Sequence, residues 1–301
     1  VPLADAGQAG IVGYEQPVPG CNGANLIGAI PGRHQGAAER FLLVGAHYDH
    51  LGWLTPGQDA YWGADDNAAA VAIAIEVARA LARSAGQLGR TVLIALFDGE
   101  EPPHFLTRGM GSEHFARNPP AALAGRLDRL DLMVCMDLVG HAMGSERHPR
   151  EVQQTLMVFG AEKSAGTAAL IDGVHVPGVA PKRLGINLIP PLSDYHAFQS
   201  RQVPFLFLTA GRWRHYHQIT DTPERLDYDK MTATARWLEL VLREAADRKT
   251  PGRDRFLIYG NDDATTLRTL FETLGLLSPF SPHGREHLRA MERLRQATAR
   301  H

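Results

Sequence analysis

Short, continuously apolar runs alternate along the chain with longer segments of helical spacing. The runs are Phe41–Ala46, Thr91–Phe97, Leu130–Met136, Thr155–Phe159 and Val203–Thr209. They are rich in β-branched residues and bounded by turn chemistry, which is how strands buried on both faces of a largely parallel sheet read. Asn67–Ser84 (NAAAVAIAIEVARALARS) holds no Gly or Pro and stops near Gly86, which predicts a helix. Thr222-Pro223-Glu224 predicts a helix start or a turn, and Asp229–Ala246 carries a helical pattern to the Pro251-Gly252 break. Strands alternating with helices predict an α/β fold, a three-layer α/β/α sandwich around a mostly parallel mixed sheet. Beyond residue 250 the pattern changes: Ala264–Leu276 and Pro282–Ala299 both read as helices. They predict a helical C-terminal extension, residues 251–301, packed on the main domain, residues 1–250.

Composition narrows the function classes. The 301 residues are 44% hydrophobic and 21% charged, enough for one large core or a core with a small appendage. A formal net charge of −2, from 31 basic and 33 acidic residues, favours neither nucleic acid nor an anionic membrane as partner. No apolar run approaches the roughly 18–20 residues of a membrane span. Two cysteines, Cys21 and Cys135, exclude a disulfide framework and leave the compartment open, cytoplasmic or exported. The opening Val-Pro-Leu-Ala, without Met, is expected of a processed or trimmed start.

The candidate chemistry sits where the buried runs end. Phe41–Ala46 leads into His47-Tyr48-Asp49-His50, Thr91–Phe97 into Asp98-Gly99-Glu100-Glu101, and Leu130–Met136 into Asp137. Val203–Thr209 leads toward His215-Tyr216-His217. Open α/β sheets bind ligands outside the carboxyl ends of their strands, and charged groups there are costly to bury unless paired or bound to metal. In His47-x-Asp49 the carboxylate can orient the imidazole, as a metal site requires, although a purely structural pair has the same spacing. Asp65, Asp66 or Asn67 could serve a ligand or simply cap the Ala-rich helix. Adjacent Glu100 and Glu101 point opposite ways in extended chain, so one can bind metal while the other faces a water; a solvated acidic turn is the alternative. Cys135, two residues before Asp137, is either a ligand or a buried inert thiol. Spacing does not choose between His215 and His217.

Together the segments VGAHYDHLG (Val44–Gly52), GADDN (Gly63–Asn67), FDGEE (Phe97–Glu101), Met136-Asp137, Ser193-Asp194 and YHQITDT (Tyr216–Thr222) resemble the zinc aminopeptidase and glutaminyl cyclase superfamily. That group includes bacterial leucyl aminopeptidases and plasma glutamate carboxypeptidase. The resemblance runs over roughly residues 25–245. It implies two zinc ions, one held by His47 and Asp137, the other by Glu101 and His217, with Asp66 shared between them. It implies Asp49 as the orienter of His47, Glu100 as general base, and Tyr216 as support for a developing oxyanion. Asp194 matches a position near the site. Nitrogen and oxygen donors of this kind suit zinc.

The implied activity is aminopeptidase, acting on peptides with a free N-terminus. Two departures bear on it. The link Pro102–Met110 is longer than aminopeptidases of the group usually have, and with FDGEE it leans toward glutaminyl cyclases, which form pyroglutamate with one zinc. Yet the cyclase tryptophan before the last histidine is Tyr216 here, and a further cyclase loop tryptophan is missing. A catalytically inactive binding protein on the same fold is the third possibility, although all five ligand positions and the base are filled.

Overall fold

The computed structural model describes residues 12–34, 39–53, 55, 57, 59–248, 256–258, 266 and 268–269. Among these, eight strands form one mixed sheet: β1 Val12–Val18, β2 Gly23–Ile30, β3 Phe41–His47, β4 Thr91–Phe97, β5 Leu130–Met136, β6 Thr155–Phe159, β7 Ala180–Leu184 and β8 Phe205–Thr209. Their order is β1-β2-β4-β3-β5-β8-β6-β7. The central strands β4, β3, β5 and β8 run parallel, and β1, β2 and β6 join antiparallel to their inner neighbours. All five apolar runs are strands of this sheet. The last starts two residues later than its apolar run, since Val203 precedes Pro204, which has no amide to give a ladder.

Helices cover both faces of the sheet, as an α/β/α sandwich requires. On one face α1 (Ala69–Ala82), α4 (Thr167–Asp172) and α6 (Tyr228–Asp247) bury Ile73, Val77, Leu81, Leu170, Trp237 and Leu238 against β3, β4 and β5. In α1 the buried positions Ala69, Ala70, Ile73, Ala74, Val77 and Leu81 recur at helical spacing, so one stripe meets the sheet. On the other face α2 (Gly111–Arg117) and α5 (Tyr195–Gln199) insert Phe115 and Phe198 beside Phe97. A short helix, α3 (Arg150–Gln153), links β5 to β6.

Helix α1 begins two residues later than its apolar pattern, because Asp66 and Asn67 have non-helical backbone angles and no side chain caps it. The N-cap alternative for Asp65, Asp66 and Asn67 is thereby removed. Thr222-Pro223-Glu224 opens a single tight turn, Pro223–Arg225, and α6 starts separately, its first turn capped by Asp227 accepting from the Lys230 amide at 3.0 Å. Of the C-terminal helices expected over Ala264–Leu276 and Pro282–Ala299, only Thr266, Arg268 and Thr269 are described, and the remainder lies outside the described residues. The described part touches the sheet domain: the Leu257 amide donates to the Lys163 carbonyl at 2.8 Å, and the Gly185 amide donates to Thr266 Oγ1 at 2.7 Å. No helix among the described residues is long and apolar enough to cross a membrane.

Trp237 is the largest fully buried side chain, and its indole N–H donates to the Val174 carbonyl at 3.1 Å. Replacing it with Ala removes both packing and a buried donor. Trp237→Ala is therefore expected to lower the unfolding free energy by about 3–5 kcal/mol, read from denaturant midpoints.

Candidate metal centre

The parallel strands β3, β4 and β5 end at one sheet edge, and the polar residues that follow them converge there. His47 is the last residue of β3 and lies in register with Phe97 of β4. It is fully buried. Its Nδ1 lies 3.1 Å from the Asp49 carbonyl and 3.6 Å from the Asp49 carboxylate, which leaves Nε2 aimed away. The Asp49 carboxylate does a second job that was not foreseen: it accepts from the amides of Glu100 at 3.1 Å and Glu101 at 2.9 Å. One residue thus fixes both: the Asp49 carbonyl, rather than the carboxylate expected, takes the imidazole, and its carboxylate takes the turn that carries the two glutamates.

From that turn the glutamates part company, as extended geometry predicts. Glu100 joins His47 and Asp137 in one donor cluster, and Glu101 joins Asp66 and His217 in another. His47 Nε2 is 3.8 Å from Glu100 Oε2 and 3.7 Å from Asp137 Oδ1. His217 Nε2 is 3.4 Å from Glu101 Oε2. Asp66 links the two groups: Oδ1 is 3.3 Å from His47 Nε2 and Oδ2 is 3.2 Å from His217 Nε2. The structure thus brings together all five residues expected to hold metal, together with Glu100. Asp137 and His217 each adjoin or occupy a left-handed backbone position, Leu138 at φ 55° and His217 itself at φ 53°. Such non-glycine positions cost about 1–3 kcal/mol and gather where function constrains the chain.

The neighbours sort ligand candidates from supports. Asp65 accepts from the Gly140 amide and bonds His141 Nδ1, both at 2.6 Å, so its oxygens are used inside the fold. His215 is likewise committed, with Nδ1 at 2.8 Å from Thr220 Oγ1 and Nε2 accepting from Arg214 Nε at 3.0 Å. Cys135 lies in the core at 3.6 Å from Ser193 Oγ and belongs to neither donor cluster, which agrees with the inert thiol. Asp221, part of the motif after His217 but assigned no task from sequence, accepts from the amide of Asp65 at 3.0 Å and that of Asp66 at 3.1 Å. It therefore sets the position of the residue that links the clusters. Asp221→Ala would strand those buried amides, and a loss of about 1–3 kcal/mol is expected on thermal or urea unfolding.

Electrostatics show what the arrangement needs. Among the described residues the ion-pair partners of Asp66, Glu100, Glu101 and Asp137 are His47 and His217 alone. Burial pushes Glu100 well above its ordinary range; His47 opposes that, while Asp137, Asp194 and Glu101 add to it. Burial likewise raises Asp137, against the pull of His47. Burial would also raise Asp66, but the close His217 and His47 imidazoles hold it below the usual carboxylate range. His217 is raised to about 9 by its bonds to Asp66 and Glu101. Asp194, wholly buried, is raised by burial to about 7. Among the described residues, buried atoms without a hydrogen-bond partner include His47 Nε2, Asp66 Oδ2, Asp137 Oδ1 and both carboxylate oxygens of Asp194. Unpaired buried donors and acceptors are rare, and so many acids with two imidazoles lack positive charge. Bound divalent cations would supply both partners and charge, so the residues fit a metal centre.

The model of peptidase family M28 matches residues 25–242, most of the described chain. The chain belongs to peptidase family M28. Relatives of this M28 member include the protein YfbL of Escherichia coli (strain K12), 30% identical, with coverage of 63% of this chain and 62% of that protein. They also include the glutaminyl-peptide cyclotransferase of Boiga dendrophila, 28% identical, with coverage of 69% of this chain and 62% of that one. The chain thus spans about three fifths of the length of these relatives. The same fold occurs in the LapA aminopeptidase of Legionella pneumophila, with a TM-score of 0.62, 18% identity, and coverage of 80% of this chain and 59% of that one. It recurs in the glutaminyl cyclase of Tannerella forsythia, with a TM-score of 0.56, 19% identity, and coverage of 78% of this chain and 84% of that one.

Proposed function

We propose that this M28 chain is a zinc aminopeptidase that hydrolyses the N-terminal residue from peptides, with two zinc ions per chain. The observation that carries the proposal is the reach of Asp66 to both histidines through separate carboxylate oxygens, 3.3 Å to His47 and 3.2 Å to His217. That reach supports a carboxylate shared by two ions. His47 and Asp137 would hold one ion with Asp66; Glu101 and His217 would hold the other. Zinc there supplies a Lewis acid for a peptide carbonyl and lowers the pKa of a water toward neutrality.

The chain's own residues supply the rest. Glu100 belongs to the first donor cluster, and its carboxylate, raised by burial, is suited to take a proton from water and return it to the leaving amine. Asp49 holds the Glu100 amide and the His47 ring, so base and ligand keep their spacing. Tyr216 stacks on His217, with ring centroids 3.8 Å apart, and faces the same pocket. Burial pushes its hydroxyl up to about 12, which keeps it a hydrogen-bond donor at neutral pH, suited to a developing oxyanion. Residues 1–250 form the catalytic domain in this proposal, with 251–301 as its extension.

Glutaminyl cyclase activity with one zinc is the competing function, favoured by the Boiga relative and by coverage of 84% of the Tannerella cyclase. A single assay separates the two. Peptides with N-terminal Leu and N-terminal Gln are incubated with zinc-loaded protein, and released amino acid and ammonia are measured. Release of free amino acid supports the aminopeptidase; ammonia from the Gln peptide without loss of a residue supports the cyclase. Neither product would leave the inactive binding protein.

A further inference from the structure

The pocket beside the donor clusters has a volume of about 210 Å³. Its floor is acidic, from Asp66, Glu100, Glu101 and Asp137, and its walls are apolar at Phe105, Pro191 and Leu192. Among the described residues one permanently cationic side chain lines it, Arg212. The chain turns at Gly211, at φ 86°, just after β8, and this delivers Arg212 to the pocket rim. There its guanidinium lies over the Tyr216 ring, Cζ 4.6 Å from the centroid, and that ring stacks in turn on His217. Two stacking contacts in series therefore index the guanidinium to a candidate metal ligand.

Stacking occupies the face of a guanidinium and leaves its edge donors available. Among the described residues Arg212 forms no ion pair, and its hydrogen-bond donors have no protein acceptor. The floor's acids pair with His47 and His217 and not with this arginine. Its edge instead matches a carboxylate, which it can grip through two parallel hydrogen bonds. It also gives the pocket a polarity. With cations bound among the floor's acids, the floor no longer sets that polarity; Arg212 does, drawing a carboxylate toward its end of the pocket and repelling an amine from it. The pocket volume is below the usual range for a drug-sized ligand, roughly 300–1,000 Å³, which suits a short occupant.

We propose that Arg212 is a specificity-determining residue that binds a substrate carboxylate, so that the preferred substrates are short peptides carrying a carboxylate just beyond the scissile bond. This rests on the peptidase function proposed above. The carboxylate has two possible sources, the free C-terminus of a dipeptide or the side chain of an acidic second residue.

Three pairs of compounds test it on the full zinc-loaded chain. They are Ala-Ala against Ala-Ala amide, Ala-Glu amide against Ala-Gln amide, and, as a control for the first residue, Glu-Ala amide against Gln-Ala amide. Native protein is expected to favour the acid over its neutral twin by about tenfold or more in kcat/KM in the first or second pair, the first identifying a C-terminus and the second a side chain. In Arg212→Gln the ratio is expected to fall to about one, and Arg212→Lys to restore part of it. Arg212 is exposed, and thermal unfolding of both variants controls for folding. Calorimetric binding of the same pairs reads the preference even if nothing is hydrolysed, so failure of the peptidase function and failure of the Arg212 assignment are distinct results. Equal handling of acid and neutral twin by native protein, a preference confined to the third pair, or a preference that survives in Arg212→Gln would overturn the proposal.

Discussion

Glu100→Gln is expected to lower kcat on aminoacyl-anilide substrates by about 10²–10⁴-fold while zinc content stays unchanged. Glutamine keeps the shape and the hydrogen-bonding capacity of the side chain but cannot accept a proton to become neutral. The structure makes the metal measurement as informative as the rate. Glu100 Oε2 lies 3.8 Å from His47 Nε2, close enough for a ligand as well as for a base. As a ligand, Glu100 would take zinc with it when replaced. As a base, it leaves zinc in place and removes only turnover. Kinetics beside elemental analysis of the same sample separates these roles, and full activity in metal-loaded Glu100→Gln would refute both.

The second large effect concerns Asp66. Asp66→Ala removes the carboxylate that links the two clusters, so zinc affinity and turnover are expected to collapse together. Loss of any other single ligand strikes one cluster. Asp65 is the natural control, being adjacent, acidic and buried, but spent on Gly140 and His141. Asp65→Asn is expected to lower stability through its lost charge-assisted bond to His141, on the order of 1–3 kcal/mol, without the collapse of zinc affinity seen in Asp66→Ala. Competition with a chromogenic zinc chelator measures the affinities. Equal zinc affinity in native protein and Asp66→Ala would contradict the shared role.

How far the fold and site could be read from sequence depended on the kind of signal each residue carries. The central strands were visible because burial on both faces demands unbroken apolar runs, as in FLLVGAH and TVLIALF. Strands β1 (VGYEQPV), β2 (GANLIGAI) and β7 (APKRL) were missed. They lie toward the sheet's margins, where one face or edge meets solvent, so Gly, Pro and polar residues are tolerated and the pattern fades. The donor residues stood out because acids and histidines at the ends of buried strands are costly without a reason.

Choosing Asp66 over Asp65, and His217 over His215, came from family resemblance. The reason is now physical: the oxygens of Asp65 and both nitrogens of His215 are already bonded elsewhere. The support roles of Asp221 and Asp49 toward backbone amides were invisible, since an amide partner leaves no mark on spacing. Arg212 was invisible for a different cause: nothing local says that a residue after β8 stacks on Tyr216 and borders the pocket.

Anomalous diffraction from crystals of the zinc-loaded protein, collected across the zinc edge, would show directly whether these side chains enclose metal. Two zinc peaks flanking Asp66 are expected, one beside His47 and Asp137 and the other beside Glu101 and His217. Zinc found only elsewhere, or no peak near Asp66 in protein carrying zinc, would contradict the account.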